Sequence, residues 1–411
     1  MNTFTTRITL GSVLLLMAMS SAMAATKQLP TPLGQEQATT MRSFHETTEL
    51  AETLWAELTS RFVSLYENGE YAEAHKTAQR AYEIADNTFG IEDVNTADSL
   101  LKLGIINQTL GNLPAAEDFL LGALVILEDQ LSPDHPDIAV ALTNLGNVYF
   151  ELGDYKSSEQ YHQKALALRE NALGKGNPAV AQSIYNLAVL YENTRDYQKA
   201  ESLYTQAIEL WSSILGPTHH YVGNALNNLT NTYIAQSKFI EASETQQRTV
   251  ALKKTVFGAD HEEVARSLID LGSLYVEQGN YVVAGNAYEE ALHIAEHVLQ
   301  PSDPQLALLM YTLANVYHIQ ARMGDTSQSG EQTWLTDATT ETKVMLENNQ
   351  TTSLFEQARP LYERAAAILD TKQNLDPSAL QVVLSELAML YKAIGANDKA
   401  SATESRISLA Q

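Results

Sequence analysis

Apolar residues recur along this chain with two interleaved periods. The short period is helical. In the stretch 135–176, Leu142, Leu145, Gly146 and Tyr149 fall at i, i+3, i+4 and i+7, one stripe of a helix. After Gly153-Asp154 a second stripe runs through Tyr155, Ser158, Tyr161, Ala165, Leu166 and Leu173. Gly174 closes it, where a residue tolerating positive φ is favoured. Gly-Asn-Pro at 176–178 then punctuates the chain before the pattern begins again. Each such block predicts two antiparallel helices joined by a tight turn.

The long period is 42 residues. The start of the second helix recurs at Tyr71, Leu113, Tyr155, Tyr197, Phe239 and Tyr281, and resumes at Phe355 and Asn397, again 42 apart. The one irregular step, from 281 to 355, is 74 residues, one period plus an insertion of 32. A fixed period of roughly 20 to 50 residues is the mark of stacked repeats. We therefore expect an all-α chain, an α-solenoid of about eight helix-turn-helix repeats near 50–91, 92–134, 135–176, 177–218, 219–260, 261–302, 303–371 and 376–411. One column, at 74, 116, 158, 200, 242, 284, 358 and 400, is Ala seven times and Ser once, which requires the two helices of a repeat to touch there. Added bulk at such a contact costs about 1–3 kcal/mol. The terminal repeats are degenerate. The first has Leu58, Arg61, Phe62 and Leu65 in place of the pattern, and the last ends in the polar stretch Ser401 to Gln411. That suits outer faces that meet water.

The spacing Leu142-x2-Leu145-Gly146-x2-Tyr149, with small residues at 158 and 165, resembles the tetratricopeptide pattern, with Leu where that pattern often has Trp. It recurs as Leu268, Leu271, Gly272, Tyr275, Ala284, Tyr288 and Ala291, and again as Met310, Leu313, Ala314 and Tyr317 with Ala358, Tyr362 and Ala365. The period exceeds the usual 34. Openers such as His135-Pro136-Asp137 and Asp303-Pro304, and endings such as Leu173-Gly174 and Leu215-Gly216, resemble the kinesin-light-chain type of this repeat, over about residues 50 to 410. The resemblance implies a right-handed superhelix whose first helices line a concave groove that holds a protein or peptide.

Carried onto this sequence, that groove takes Thr143, Asn144, Asn147 and Phe150 from the third repeat and Gln182, Tyr185, Asn186 and Glu192 from the fourth. The fifth gives Asn224, Asn227, Asn228 and Asn231, and the seventh Tyr311, Asn315 and His318. Asn is a mediocre helix former, so seven on the first helices of three consecutive repeats call for a reason. Its amide carries both donor and acceptor and can pair with the main chain of an extended peptide. Asn144, Asn186 and Asn228 share one column and are equally explained as inherited with the repeat, whereas Asn224, Asn227 and Asn231 favour recognition. In the kinesin-light-chain family the Asn of a Leu-Asn-Asn-Leu stretch is implicated in holding cargo, and Leu226-Asn227-Asn228-Leu229 reproduces that stretch. A clamp for a terminal carboxylate would need Lys or Arg beside Asn. Lys102, Arg266 and Lys392 occupy such columns far apart, while Glu151, Glu192, Asp270 and Glu277 suit a neutral to basic partner.

Charge and chemistry narrow the reading further. Asp and Glu number 50 against 26 Lys and Arg, a net charge of −24, which repels nucleic acid phosphates and anionic membrane surfaces. There is no cysteine, hence no disulfide, thiolate metal site or cysteine nucleophile. Arg7, the apolar run Ile8 to Met19 and Ala22-Met23-Ala24 read as a cleaved export signal over 1–24, too short to span a bilayer. Residues 25–49, with Pro30 and Pro32, are expected to form a mobile leader. A periplasmic or extracellular protein, monomeric, is the expectation.

The insertion, about 323–354, is expected either as a tolerated loop or as a flap anchored by Trp334. Its later part, Thr340 to Asn348, would prolong the second helix backward, and Pro360 lies inside that helix. His293 and His297 stand i, i+4 but lack an evident third ligand, and His261-Glu262-Glu263 lacks the second His of a zinc protease motif. His135, His219 and His261 share a column at the repeat boundary that suits a helix cap or loop. No phosphate loop or nucleophile elbow is present. The expectation is therefore a non-enzymatic protein-binding scaffold with no cofactor and no metal. Its alternative is a receptor whose peptide or small ligand changes the superhelix.

Overall fold

The computed structural model describes residues 35–326, 340–370 and 377–409, with side chains over 48–323, 352–370 and 378–407. The expected signal at 1–24 and Trp334 lie outside the described residues. Among those described there are sixteen helices and no strand. They form eight consecutive pairs. The first four are α1 (Gln35–Glu67) with α2 (Tyr71–Phe89), α3 (Val94–Thr109) with α4 (Leu113–Gln130), α5 (Pro136–Glu151) with α6 (Tyr155–Leu173), and α7 (Pro178–Asn193) with α8 (Tyr197–Leu215). The next are α9 (His220–Ala235) with α10 (Phe239–Phe257) and α11 (Glu262–Glu277) with α12 (Tyr281–Val298). The last are α13 (Pro304–Thr326) with α14 (Thr340–Asp370) and α15 (Pro377–Ala393) with α16 (Asn397–Leu409).

The second helices start at Tyr71, Leu113, Tyr155, Tyr197, Phe239, Tyr281 and Asn397, the positions that the 42-residue period marks. In the seventh pair the helix starts at Thr340, so the later part of the insertion does extend α14 backward, with Pro360 inside it. At the other end the expectation of a leader up to residue 49 differs from the structure. α1 begins at Gln35, because no Pro or Gly interrupts the chain from there to Glu67.

Each repeat opens and turns by the same devices. At the boundary, Asp93, His135, Asn177, His219, His261 and Asp303 each accept a hydrogen bond from the backbone N–H two residues on, capping the first helix. The shared histidine column is thus a capping column. Between the two helices the chain passes through a left-handed residue at Gly69, Gly111, Gly153 and Gly279. In the fourth and fifth repeats Arg195 (φ 63°) and Ser237 (φ 57°) hold that place.

The chain divides into two compact halves, residues 1–210 and 211–411, with the division inside α8. Within each half the small column is sealed. Ala74, Ala116, Ser158 and Ala200 are fully buried in the first, as are Ala242, Ala284 and Ala358 in the second. The larger side chains fill the space between those contacts. In the first half Phe62 lies with Tyr66, Leu103 and Ile106, and full burial of such a ring stabilises by about 2–3 kcal/mol. In the second half one continuous core runs from Val250 to Ala400.

Neighbouring repeats are stitched by side chains that recur with the period. Tyr391 donates to Glu363 at 2.6 Å, Gln278 to the Phe239 carbonyl at 2.7 Å and Gln320 to the Tyr281 carbonyl at 2.8 Å. First helices also touch one another: α1 and α3, α3 and α5, and α13 and α15.

Candidate partner-binding face

Helix α9 presents its polar side chains because its apolar stripe is spent on the core. Val222, Ala225, Leu226 and Leu229 are buried, while Asn224, Asn227 and Asn231 are exposed. Among the described residues no hydrogen bond engages the side chains of those three asparagines. Asn227 and Asn231 border an open cavity of about 710 Å³ between α9, α10 and α11. Apolar walls come from Ile234, Phe239 and Leu274, and the polar ones include Thr230, Gln246, Ser267 and Ser273.

Four charged side chains face the same cavity: Lys253, Arg266, Asp270 and Glu277. The two cations are already matched. Lys253 reaches Glu263 at 2.9 Å and Arg266 reaches Glu262 at 2.7 Å. The Lys253 contact holds the Glu263 carboxyl below its ordinary pKa. Asp270 has neither a hydrogen bond nor an ion pair among the described residues. Although the residue as a whole is exposed, the cavity walls strip water from its carboxyl and push its pKa up, against the pull of Lys253 and Arg266.

The other expected groove residues divide by what already occupies them. Asn144 donates to the Val140 carbonyl at 2.9 Å, and the buried Asn186 accepts from Gln182 at 2.9 Å. In the first half Asn147 keeps a buried Oδ1 without a partner, and Tyr185 packs edge-on against Tyr204 with centroids 5.6 Å apart. Asn228 is half-buried and has an interaction of its own. In the seventh repeat Tyr362 donates to Asn315, and Tyr311 packs against the Tyr362 ring, centroids 6.0 Å apart. His318 is buried beside Phe355, and burial lowers its pKa. The amides therefore split into those engaged within the repeats, the three exposed ones on α9 that bond to nothing among the described residues, and Asn147, whose unpartnered oxygen is buried.

His293 and His297 are exposed, their rings 4.7 Å apart, with His297 Nδ1 2.7 Å from the His293 carbonyl oxygen. Among the described residues no group of three or more His, Asp or Glu gathers as metal ligands. No helix there is long and apolar enough to cross a membrane.

Comparison with known families settles the class of the repeat. A tetratricopeptide repeat family model matches residues 63–129, 108–171, 179–255 and 231–297, and a second model of the same description matches 143–213. The chain belongs to the tetratricopeptide repeat family. Repeats of this family serve as protein-interaction scaffolds. No curated protein matches the chain.

Solved structures similar to the chain include BtubC (BKLC) from P. vanneervenii. It is 19% identical over 56% of this chain and 90% of its own, with a TM-score of 0.45. A Podosopora anserina chain described as a kinesin light chain of nearly identical TPR-like repeats is 20% identical over 49% and 96%, TM-score 0.43. YrrB, described as a TPR protein with an unusual peptide-binding site, is 19% identical over 52% and 92%, TM-score 0.36. At these identities and scores the likeness transfers no residue role.

Reading the first helices of this tetratricopeptide chain brought out Asn227, Asn231, Arg266, Asp270 and Glu277, which the structure gathers around one cavity. It passed over Gln246 on the second helix and the buried Thr230. The signal was present in the columns. Position 246 holds Gln where the equivalent positions 204, 288 and 362 hold Tyr, and 230 holds Thr where 146, 188, 272 and 314 hold Gly or Ala.

Proposed function

We propose that this chain is an exported, non-enzymatic scaffold that holds an extended segment of a partner protein along its first helices, with α9 as the centre of recognition. The observation that carries this reading is the set of three exposed asparagines on α9 with unspent amides, two of them bordering the cavity. An extended segment has free main-chain N–H and C=O groups, and an Asn amide matches both. The net charge of −24 and the unmatched Asp270 and Glu277 favour a neutral to basic segment and speed its approach.

The test is capture from an envelope extract, with protein beginning at Ala25 and a paired Asn227→Ala, Asn231→Ala variant as baits. A partner held by the parent and lost by the equally helical variant supports the reading. A partner held equally by both removes α9 from recognition. N-terminal sequencing of the protein from the envelope fraction tests export, with a start at Ala25 as the expected result.

A receptor for a short peptide or small ligand is the second reading. The cavity favours it, since about 710 Å³ lies within the roughly 300–1,000 Å³ range of small-molecule sites. A thermal-shift screen of peptides and metabolites that raises the midpoint for a small ligand would prefer it.

A further inference from the structure

The cavity exists because the fifth repeat breaks the packing used by those around it. In the sixth repeat the Tyr288 ring lies on Gly272, where an added Cβ would come within 2.8 Å of the ring. The Tyr288 hydroxyl lies 2.9 Å from Ser273 Oγ. In the seventh repeat the equivalent Tyr362 donates to Asn315. Asn231 is the counterpart of Ser273 and Asn315, but in its repeat the tyrosine is replaced by Gln246. Gln246 turns its amide to the Ser267 carbonyl, 3.0 Å away. The volume of a phenol ring is thus left open, and Asn231 keeps its amide.

Two further unspent groups border that space. Thr230 is 5% exposed, and its Oγ1 has no hydrogen-bond partner. A helical Thr has two accessible χ1 states, so one rotation exchanges this oxygen with the methyl. Asp270 is the second, a carboxylate with no ion pair in a wall whose cations are matched by Glu262 and Glu263. A pocket of side-chain acceptors with two carboxylates on its wall, Asp270 and Glu277, unpaired among the described residues, fits a group with several N–H donors and a positive charge.

We propose that this cavity is a subsite for one cationic side chain, a lysine ammonium or an arginine guanidinium, of the bound segment. The inference rests on the reading of α9 as the binding face and specifies what one position of the segment must be. Asp270 takes the charge, Thr230 Oγ1 and the Asn231 carbonyl take remaining N–H donors, and Asn227 stays free for the main chain.

The test titrates the full chain, labelled on nitrogen and on threonine methyls, with acetyl-arginine N-methylamide and acetyl-lysine N-methylamide. Acetyl-citrulline and acetyl-norleucine N-methylamides are the neutral counterparts. The cationic compounds are expected to shift the Thr230 methyl and the Asn231 amide saturably, and to bind at least ~10-fold tighter than the neutral ones. Asp270→Asn removes that preference with unchanged helicity. Gln246→Tyr restores the packing of the other repeats and removes the Thr230 shift, and it reports independently of Asp270 should either variant misfold. Equal binding of arginine and citrulline compounds overturns the subsite while leaving the α9 reading intact. Saturable shifts elsewhere, or none with any compound, overturn it too. The α9 reading then stands or falls on the capture experiment alone.

Discussion

Tyr149 donates its hydroxyl to Glu117 Oε1 at 2.6 Å, across the boundary between the second and third repeats. The hydrogen bond to Glu117 holds the phenol above its ordinary pKa, so Tyr149 keeps its proton and its donor role throughout the neutral range. The same first-helix column supplies Tyr391 to Glu363. Tyr149→Phe should therefore cost about 1 kcal/mol in urea unfolding, at the low end for such bonds because the pair is partly exposed. An unchanged midpoint would show that the ring stacking of Tyr149 on Tyr161, centroids 5.3 Å apart, does the holding instead.

Two glycine substitutions separate close packing from helix propensity. At Gly272 an added Cβ meets the Tyr288 ring at 2.8 Å, whereas at Gly223 it meets only Leu252, at 3.7 Å. Gly223→Ala should stabilise by roughly 0.5–1 kcal/mol through helix propensity. Gly272→Ala should destabilise by about 1–3 kcal/mol because the ring must move. Thermal midpoints of the two variants should move in opposite directions.

Arg195 and Ser237 carry a left-handed conformation that glycine supplies in the first, second, third, sixth and eighth repeats. Ser237→Gly relieves that strain and should raise stability by about 1 kcal/mol, less the entropy that glycine adds to the unfolded chain. Differential scanning calorimetry checks it, and a fall in midpoint would show that Ser237 contributes more than its backbone.

Buried His162 gives a pH dependence. Its ring lies against Gly146, and desolvation first, then the nearby Arg169 charge, lower its pKa to about 3. The unfolded chain takes up that proton near pH 6.5, whereas the folded one resists until about pH 3. The stability contributed by the neutral ring is thus fully present above pH 6.5 and falls by roughly 1.4 kcal/mol for each pH unit below it. His162→Leu should be less steep in that window by about one proton, since Leu120 fills the same column against Gly104. Urea midpoints between pH 4 and 7 that run parallel for both proteins would refute the assignment.

The helix pairs were legible because a repeat amplifies its own signal. Tyr71 alone predicts little, but its place among seven equivalents fixes where a helix begins. The same regularity concealed the polar cavity. Thr230 and Gln246 are unremarkable residues until compared with the Gly or Ala, and the Tyr, that the fourth, sixth and seventh repeats put in those columns. Whether an asparagine is spent was not legible at all. Asn144 and Asn227 look alike in sequence, yet one returns its amide to Val140 and the other has no bond, a difference set by side-chain rotamer and neighbours.

The bonds from Gln278 to the Phe239 carbonyl and from Gln320 to the Tyr281 carbonyl join chemically equivalent atoms one period apart. Excising residues 239–280 would join Lys238 to Tyr281 and leave Gln320 with the acceptor it already has. Repeat number is therefore a quantity that unequal recombination can change without designing a new junction. The deleted stretch would take Gln246 and Asp270 with it, so a shortened descendant would keep its helix pairs and lose the polar cavity in one event.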